Sequence, residues 1–539
     1  MAVPPEPFAA AAAHVAGTVE SIDPASGVVH ARYAATNPVD IPAIFERARV
    51  AQKEWAGRRP LQERCAMLRL LRDAIFDLRE EIASVITRET GKPRVEAIFA
   101  EIVLALDTAD FLARRAQGWL RPERVPHHNL ALKAKSGWLE FEPLGVVAII
   151  SPWNYPFAIP MAQIIPALVA GNAVLLKPSE LTPATGALIS DMVDKLTGAS
   201  KFPPNLVQIL QGAGDTGAAL IDASPDKVFF TGSVATGQRI AEACGRKLIP
   251  SVLELGGKDA MIVLGDAGLD IASSAAVWGS FTNCGQACLS VERIYVERAV
   301  AERFTALCAQ KTAKLRLGPP SDADAEVGPM IRPRQLEKVE EHLRDAVSGG
   351  AKILLGGHRR PDLGPNFLEP AVIANVDHSM KIMREETFGP VLAIQAVDSA
   401  DEAIALANDS PFALSGSIWT ADAPRGRELA SRLRAGSVMV NDVASYYGIS
   451  EAPHGGRGAS GWGRAHSRFG LLETVHTKYV DVDRLPHIAK AWWFGYTSEL
   501  AFAADRFVDF LFARDWRRRV SALTSRRGAR RLIFRRDRI

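Results

Sequence analysis

The chain has 539 residues, of which 47% are hydrophobic and 23% charged, and a net charge of +3. This length exceeds one ordinary domain, and the composition is typical of a globular protein rather than a disordered or membrane-embedded one. The five cysteines are scattered and odd in number. They favour free thiols in a reducing, cytoplasmic compartment over a disulfide framework, and their spacing predicts no metal site.

The positive charge is concentrated at the C-terminal end. From Leu485 to Ile539 the chain carries 13 Lys and Arg against 5 Asp and Glu, a net charge of +8, which leaves −5 on residues 1–484. The main body is therefore acidic, and we expect it to bind no nucleic acid.

The first long patterned region is helical. From about Ile41 to Trp119, apolar residues recur at spacings of three and four, and a Gly-Lys-Pro break lies within Glu89–Arg94. These helices are expected to cover one side of a sheet.

A βαβ unit follows. Gly145-Val-Val-Ala-Ile-Ile150 and Ala173-Val-Leu-Leu176 are uninterrupted apolar runs, which are typical of parallel strands buried on both faces. The stretch between them contains four prolines, which favour strand–turn–helix–strand over a membrane-spanning helix. Asn154 and Lys177 follow the two strands, at the sheet edge where ligands of open α/β folds bind.

Two glycine-rich turns compete for a phosphate-binding role. Gly212–Gly217 matches GxGxxG literally, but another strand begins where that motif requires an acidic residue. Thr231–Gly237 follows a strand and opens a helix, whose N-terminus is an anion site. It is the better candidate.

Glu254 and Cys288 are the candidate base and nucleophile. Glu254 lies in an apolar strand, where burial would raise its pKa towards that of a general base, although pairing with Lys258 is an alternative.

Cys288 is the last residue of the motif Asn283-Cys-Gly-Gln-Ala-Cys288. As a nucleophile it needs an electropositive or amide-rich setting, whereas a buried small residue is the alternative. Gly285 would let a substrate or cofactor approach, and the two neighbouring amides would pin the turn.

Six motifs in order resemble the NAD(P)-dependent aldehyde dehydrogenase superfamily over about Ile41 to Tyr479. They are Pro152-Trp-Asn-Tyr-Pro156, Lys177-Pro-Ser-Glu180, Phe230-Thr-Gly-Ser233, Glu254-Leu-Gly-Gly-Lys258, Asn283-Cys-Gly-Gln-Ala-Cys288 and Glu386-Thr-Phe-Gly-Pro390. The resemblance implies an aldehyde dehydrogenase fold of class α/β. That fold has a Rossmann-like parallel-sheet cofactor domain, a second α/β catalytic domain and a small β oligomerisation arm.

The resemblance also implies domain boundaries and an assembly. The cofactor domain would comprise 1–121 and 145–254, the catalytic domain 255–455, the arm 122–144 and 465–484, and a C-terminal extension 485–539. The arm would pair with a partner subunit in a homodimer or homotetramer.

The implied roles cover three catalytic and seven cofactor-binding residues. Cys288 would be the nucleophile, Glu254 the general base, and the Asn154 amide with the Cys288 N–H the oxyanion hole. The cofactor would be held by Lys177, Glu180, Gly232, Ser233, Glu386, Phe388 and Trp153. Glu180 near the ribose favours NAD, with NADP as the alternative.

The expected reaction is oxidation of an aldehyde to its carboxylic acid, since a base is needed to hydrolyse a thioester. An apolar, fatty or aromatic aldehyde is favoured over a succinate-semialdehyde-type or other small polar substrate, because Ala158–Gln163 contains no arginine for a distal carboxylate. The alternatives of another class are a catalytically silent scaffold and acyl transfer without redox.

Two residues keep open interpretations. His454 stands in Pro453-His-Gly-Gly456, where the family usually has Pro-Phe-Gly-Gly. It either fills the aromatic ring's space or makes a polar, pH-sensitive contact at the substrate mouth. Cys284 is either a core residue or a resolving thiol.

The C-terminal extension lies outside the resemblance. Ser498 to Trp516 predicts one amphipathic helix, with Leu500, Ala504, Phe507, Val508, Leu511 and Phe512 on its apolar face, and 11 arginines follow from Arg514 onwards. This pattern indicates either peripheral membrane contact or aromatics packed on a neighbouring subunit.

Overall fold

The computed structural model describes residues 17–524. The chain divides into two compact units. Within the described residues, the larger comprises 17–120 and 142–476, and the smaller comprises 121–141 and 477–524.

Helices and strands alternate through most of the described residues. The strands are β1 (Thr18–Ile22), β2 (Val29–Ala34), β3 (Glu123–Val125), β4 (Lys135–Pro143), β5 (Val146–Ile150), β6 (Ala173–Lys177), β7 (Val207–Ile209), β8 (Lys227–Gly232), β9 (Ser251–Leu255), β10 (Asp259–Val263), β11 (Val291–Glu297), β12 (Lys352–Leu355), β13 (Ala371–Ala374), β14 (Val391–Val397), β15 (Ser415–Trp419), β16 (Ser437–Val440), β17 (Gly461–Trp462) and β18 (Val475–Asp483). The helices are α1 (Ile41–Arg58), α2 (Leu61–Asp77), α3 (Arg79–Thr90), α4 (Arg94–Ala97), α5 (Val103–Trp119), α6 (Ala158–Ala170), α7 (Pro183–Gly198), α8 (Gly214–Asp222), α9 (Val234–Arg246), α10 (Leu269–Phe281), α11 (Arg298–Thr312), α12 (Pro333–Ser348), α13 (Lys381–Arg384), α14 (Ala400–Asn408), α15 (Ala423–Arg432), α16 (Ser467–Leu472), α17 (Ser498–Phe512) and α18 (Trp516–Thr524).

Two sheets organise the larger unit. A six-stranded sheet has the order β17-β9-β8-β5-β6-β7, with β17 antiparallel to β9 and the others parallel. A seven-stranded sheet has the order β12-β13-β14-β11-β10-β15-β16, and only β12 is antiparallel in it. Most of their central strands are buried, as expected for parallel sheets covered by helices on both faces. The predicted α/β class, with two mostly parallel sheets, is therefore confirmed.

The predicted helical region and βαβ unit are present. Helices α1 to α5 lie within Ile41–Trp119, and Gly91 caps the C-terminus of α3 with a left-handed φ of 77°. The chain then runs through β5, α6 and β6, where the sequence predicted strand–turn–helix–strand. Between residues 17 and 524, no helix is long and apolar enough to cross a membrane.

Asn172 fixes the turn between α6 and β6. Its side chain is fully buried; Oδ1 accepts from Gly145 N at 2.9 Å, and Nδ2 donates to Ala167 O at 3.2 Å and Thr474 O at 2.8 Å. One side chain thus joins the start of β5, the end of α6 and the segment before β18.

The smaller unit contains a three-stranded sheet of order β18-β4-β3. Tyr479 packs against Gly137, where a Cβ would lie 2.4 Å from the phenol oxygen, and that oxygen lies 2.7 Å from His127 Nε2. In the extension, the helix predicted from Ser498 to Trp516 is present from Ser498 to Phe512, and only its predicted end is wrong. α17 ends at Phe512 because Ala513 takes extended backbone, and α18 begins at Trp516.

We expect Asn172→Ala to lower the free energy of unfolding by about 2–5 kcal/mol, because it leaves the buried Gly145 N–H and Thr474 carbonyl without partners. Urea unfolding followed by circular dichroism measures this change. Gln117→Ala, at an exposed position of α5, is the control and should shift stability by less than about 0.5 kcal/mol. Equal unfolding midpoints for the two variants would show that Asn172 does not stabilise the turn between α6 and β6.

Candidate active site

The loop that carries Cys288 lies between α10 and β11. Asn283, Cys284 and Gly285 all have left-handed backbone, with φ of 50°, 55° and 70°. A Cβ at Gly285 would lie 2.1 Å from the backbone oxygen of Gly389. Glycine is therefore required here for chain packing; the expectation that it admits substrate or cofactor is wrong, because backbone fills that space.

Two amide side chains pin this loop, as the sequence predicted. Asn283 Nδ2 donates to Gln286 O at 3.1 Å and to Asn154 O at 3.0 Å. Gln286 Nε2 donates to Asn283 O at 3.0 Å, and its Oε1 accepts from Ile331 N at 2.9 Å. The Cys288 loop is thus tied to the loop that carries Asn154.

Asn154 is held by a buried ion pair from the N-terminal helices. Lys92 Nζ donates to Asn154 O at 2.7 Å and to Glu101 Oε1 at 2.5 Å, and both side chains are fully buried. Glu101 Oε2 accepts the N–H groups of Phe157 and Ala158 at the start of α6. Glu101 lies in a single π-helical turn, Ile98–Ile102, a distortion that frequently marks functional sites.

The Asn154 amide already points towards the nucleophile loop, since its Nδ2 donates to Gln286 O at 3.2 Å. Sequence reasoning missed Lys92 and Glu101, because Lys92 lies in the short break between α3 and α4 and Glu101 lies in a helical run with an ordinary amphipathic pattern. A lysine beside a helix-ending glycine was the only local signal.

Glu254 is buried without a cation partner. Its Oε2 accepts from Thr231 Oγ1 at 3.4 Å, whereas Oε1 is buried with no hydrogen-bond partner among residues 17–524. Burial raises the pKa of Glu254 to about 7, and the Thr231 hydrogen bond opposes that rise. The alternative pairing with Lys258 is wrong, because Lys258 Nζ donates to Glu292 at 2.5 Å.

Two cavities meet at the candidate nucleophile and base. One has a volume of about 210 Å³ and the other about 200 Å³. Thr231, Glu254 and Cys288 line both. A molecule in either cavity would therefore reach the same thiol and the same carboxylate.

The setting of Cys288 differs from the expectation of an electropositive site. Burial raises the pKa of its thiol, and the charges of Asp259, Glu254 and Glu386 raise it further, whereas its own backbone N–H lowers it. A raised pKa favours the protonated thiol. The electropositive setting is therefore not found, because carboxylates from three other segments converge here, whereas the amide-rich alternative stands, since the Asn154 and Asn283 side chains donate within this loop.

The first cavity is largely apolar. Its lining residues are Phe99, Ala100, Leu104, Tyr155, Ile159, Thr231, Glu254, Trp278, Thr282, Ala287, Cys288, Leu289, Ala444, Ser445, Tyr447, Gly448 and His454. Within this lining there is neither lysine nor arginine, so a distal carboxylate would find no cation there. His454 lies at the wall beside Glu254, with Nε2 3.9 Å from Oε2.

The second cavity is a polar cleft that contains most of the predicted cofactor residues. Its lining comprises Pro152, Trp153, Asn154, Thr231, Gly232, Ser233, Glu254, Leu255, Gly256, Cys288, Arg332, Gln335, Lys338, Glu386 and Phe388. The Trp153 and Phe388 rings meet edge to face at 5.5 Å between centroids. The Gly212–Gly217 turn does not contribute to the lining.

Several features of this cleft suit an anionic ligand. Ser233 caps α9, accepting from Thr236 N at 3.3 Å, so a helix N-terminus faces the cleft where a pyrophosphate would be favoured. At Gly256 a Cβ would lie 2.4 Å from Glu386 Oε1, so only glycine leaves room there. Two basic side chains, Arg332 and Lys338, supply positive charge to the same wall.

Lys177 and Glu180 lie outside this lining and pair with each other, Nζ to Oε2 at 3.3 Å. Burial is the largest single effect on Glu180 and would raise its pKa, but the charge and hydrogen bond of Lys177, the Glu180 backbone N–H and Arg332 together outweigh burial, so the pKa is lowered. Arg332 also contributes to this lowering, which places the pair beside the Arg332 end of the cleft.

Cys284 packs in the core of the seven-stranded sheet, with Sγ 3.6 Å from Met330 Sδ. Burial raises the pKa of its thiol. These contacts favour the core interpretation over the resolving thiol.

Comparison with known proteins gives a consistent result. A model described as the aldehyde dehydrogenase family matches residues 11–480. The 4,4'-diapolycopene aldehyde oxidase of Methylomonas sp is 40% identical over 504 residues, 92% of this chain and 92% of that protein. A Mycolicibacterium smegmatis protein, provisionally named succinate-semialdehyde dehydrogenase with NADP(+), is 41% identical over 447 residues, 83% of this chain and 85% of that protein.

A solved structure agrees. A point mutant of betaine aldehyde dehydrogenase from Staphylococcus aureus, in complex with NAD+, has a TM-score of 0.81 at 31% identity and covers 88% of this chain and 96% of that chain.

We expect alkylation of Cys288 by iodoacetamide to be slow at pH 7 and to rise through pH 9 without a plateau, because the thiol pKa is raised. Mass spectrometry of the labelled peptide measures the rate at each pH. Glu254→Gln removes one of the opposing charges and should speed alkylation at pH 7. Cys288→Ser is the control, since the other four cysteines are buried. A plateau below pH 8 would show a thiolate instead.

Proposed function

Because this chain belongs to the aldehyde dehydrogenase family and is an NAD(P)-dependent oxidoreductase, we propose that it oxidises an apolar aldehyde, fatty or aromatic, to the carboxylic acid. The observation that carries this proposal is that an apolar cavity and a polar cleft meet at Cys288 and Glu254, and that the cleft is lined by five of the predicted cofactor residues.

The proposed chemistry assigns each step to a residue. The Cys288 thiol gives its proton to solvent water, and the thiolate adds to the aldehyde carbon to form a thiohemiacetal, whose oxyanion the Asn154 amide and the Cys288 N–H stabilise. A bound nicotinamide supplies the hydride acceptor. The acyl group then remains on Cys288 as a thioester. Glu254 takes a proton from water, which attacks the thioester and releases the acid.

The proposed cofactor contacts follow the cleft. Ser233 and Gly232 at the start of α9 would hold the pyrophosphate, Glu386 and Phe388 the nicotinamide end, and Trp153 the opposite wall. Lys177 and Glu180, beside Arg332, would reach the adenine-side ribose. Glu180 favours NAD, because a carboxylate accepts from ribose hydroxyls and repels a 2′-phosphate. NADP is the alternative, because the name of the Mycolicibacterium smegmatis relative includes NADP(+).

The apolar substrate class is supported by the lining of the first cavity and by the carotenoid aldehyde named for one relative. A succinate-semialdehyde-type substrate is the second candidate, on the name of the mycobacterial relative. The absence of lysine and arginine from the lining weighs against it, because a buried carboxylate needs a paired charge.

We expect the purified chain to oxidise long alkyl or aromatic aldehydes with a kcat/KM at least about tenfold above that for succinate semialdehyde. Burial of each extra CH₂ contributes about 0.8 kcal/mol, whereas a distal carboxylate is desolvated without a partner. NADH absorbance over a panel of aldehydes that differ in length and terminal charge measures the preference.

Two variants control this panel. Cys288→Ser should abolish turnover, and Glu254→Gln should leave acyl-enzyme detectable by mass spectrometry while slowing its release. A preference for succinate semialdehyde would overturn the substrate class. No dinucleotide reduction with any aldehyde would favour the silent scaffold.

We also propose that β18, β4 and β3 belong to the oligomerisation arm, in a homodimer or homotetramer with the domain boundaries predicted above. The support is a small separate unit built around a three-stranded sheet, and the molar mass in solution decides the assembly.

The C-terminal extension is proposed to contact membranes at their surface. Phe494, Phe512 and Trp516 are 75%, 71% and 68% exposed, and further exposed apolar residues lie between them. Arg517, Arg518 and Arg519 adjoin this cluster, whereas the seven arginines from Arg526 onwards lie outside the described residues. Exposed aromatics beside arginines favour an anionic lipid surface, where an apolar aldehyde would be concentrated.

We expect the intact chain to co-sediment with anionic vesicles, in a manner weakened by salt, and a chain ending at Asp483 not to do so. Substituting Arg517, Arg518 and Arg519 by Gln should weaken binding, since each arginine near the surface contributes about 1 kcal/mol. Gln at the exposed Arg58, Arg246 and Arg298 of the larger unit is the matched control. Equal binding of the intact and shortened chains would remove the membrane contact.

A further inference from the structure

His454 is fixed at the wall between the apolar cavity and Glu254. Its backbone forms an isolated bridge with Ala465, with hydrogen bonds of 2.9 and 2.8 Å in the two directions. The side chain is only 2% exposed. The Tyr447 ring packs edge-on against the imidazole, with centroids 4.8 Å apart, so the ring has little rotational freedom.

One imidazole nitrogen has a defined partner. Nδ1 lies 3.0 Å from the hydroxyl of Tyr446, which is itself buried. Burial raises the pKa of Tyr446 well above its usual value, so the phenol keeps its proton and can donate it to Nδ1. A side-chain hydrogen bond from Ser437 reaches the same phenol. A neutral imidazole that accepts at Nδ1 must carry its proton on Nε2.

The other nitrogen faces the candidate base. Nε2 lies 3.9 Å from Glu254 Oε2, which is longer than a hydrogen bond of about 2.7–3.2 Å but within reach of a small side-chain movement. Glu254 has only the long Thr231 contact, and its Oε1 has no partner among the described residues. The carboxylate thus lacks strong donors, and His454 Nε2 is an imidazole nitrogen close enough to become one.

We propose that His454 is a positioning residue for Glu254: Tyr446 fixes its tautomer, and its Nε2–H orients and stabilises the ionised carboxylate that activates water. This inference rests on the proposed function, in which Glu254 is the base. It explains why a polar ring lies where an apolar one would fill the same space.

Burial keeps the imidazole neutral. It lowers the pKa of His454 to about 3, and His466 and Arg464, across the bridge, lower it further. Tyr155, Tyr446, Tyr447 and Cys288 also line or adjoin this cavity, and all four pKa values are raised, so they are uncharged at neutral pH. Asp259 acts on Tyr446 and Cys288, and burial raises its own pKa to about 8. Asp107 acts on His466 from the N-terminal helices. The donor at Nε2 is therefore neutral across the working range.

Loss of the His454 donor should raise the pKa of Glu254. Burial raises the pKa of Glu254 to about 7, and a donor to the carboxylate opposes that rise. Removing the donor should raise the pKa further, so the base becomes ionised only at higher pH. A rise of about one unit would cut the ionised fraction at pH 7 about fivefold and leave it nearly unchanged above pH 9.

An activated ester tests this without cofactor or aldehyde. p-Nitrophenyl acetate should acylate Cys288 in a burst of one nitrophenol per chain, followed by a slower steady rate set by Glu254-assisted hydrolysis. For His454→Phe we expect an unchanged burst amplitude, a steady rate about fivefold lower at pH 7, and a pH profile displaced upward by about one unit. His454→Gln, which retains an N–H donor, should restore most of the rate.

A double-mutant cycle shows whether His454 acts through Glu254. In a Glu254→Gln background, His454→Phe should cause no further loss, because the base is already absent. Tyr446→Phe leaves His454 in place but removes the donor to Nδ1, and should displace the profile in the same direction by a smaller amount. This variant also keeps the proposal testable if His454→Phe does not fold.

Three outcomes overturn the proposal. If the pH profile of the steady rate is the same for His454→Phe as for the unsubstituted chain, His454 has no positioning role, and the proposed function is unaffected. Equal losses from His454→Phe in the presence and absence of Glu254 show a packing effect instead. Absence of a burst in the unsubstituted chain counts against Cys288, and therefore against the proposed function as well.

Discussion

A carboxylate buried without a counter-charge is the constraint on which the site depends. Glu254 lies on a buried strand, and its nearest lysine in sequence, Lys258, is bound instead by Glu292. With a lysine beside it, the carboxylate would be ionised at any ordinary pH and would be a weak base. Without one, burial holds its pKa at about 7, where a base is both available and strong enough to accept a proton from water.

Charges in the scaffold are paired, whereas charges at the reacting centre are not. Lys92 with Glu101 and Lys258 with Glu292 are buried ion pairs whose remaining oxygens accept backbone N–H groups. Each pair positions a loop of the site: the first holds Asn154, and the second holds the segment around Phe388. Breaking such a pair would leave a buried charge without a partner, which is strongly destabilising, so movement of these loops is restricted. A rigid frame is what allows an unpaired carboxylate and thiol to remain close together.

Apolar strand runs, which are local patterns, predicted the sheet, whereas the grouping of Asn154 with Glu254 and Cys288 was implied by the family resemblance. Lys92 and Glu101 were not predicted, since the backbone groups that they bind lie more than 50 residues away in the chain. Of the two settings expected for Cys288, the amide-rich one stands and the electropositive one does not, because Asp259 and Glu386 approach the thiol through tertiary packing alone. The break at Ala513 was missed because the apolar spacing continues through it.

His454 shows how one side chain can alter the site without changing its shape. A phenylalanine there would pack against Tyr447 equally well and would bury no polar atom. An imidazole carries a desolvation cost that only partners can offset, and in the described residues it has Tyr446 on one nitrogen and Glu254 near the other. The partner on Nδ1 determines which nitrogen bears the proton, and the proton on Nε2 acts on the carboxylate. The charge state of the base is thereby coupled to a hydroxyl that neither substrate nor water needs to contact.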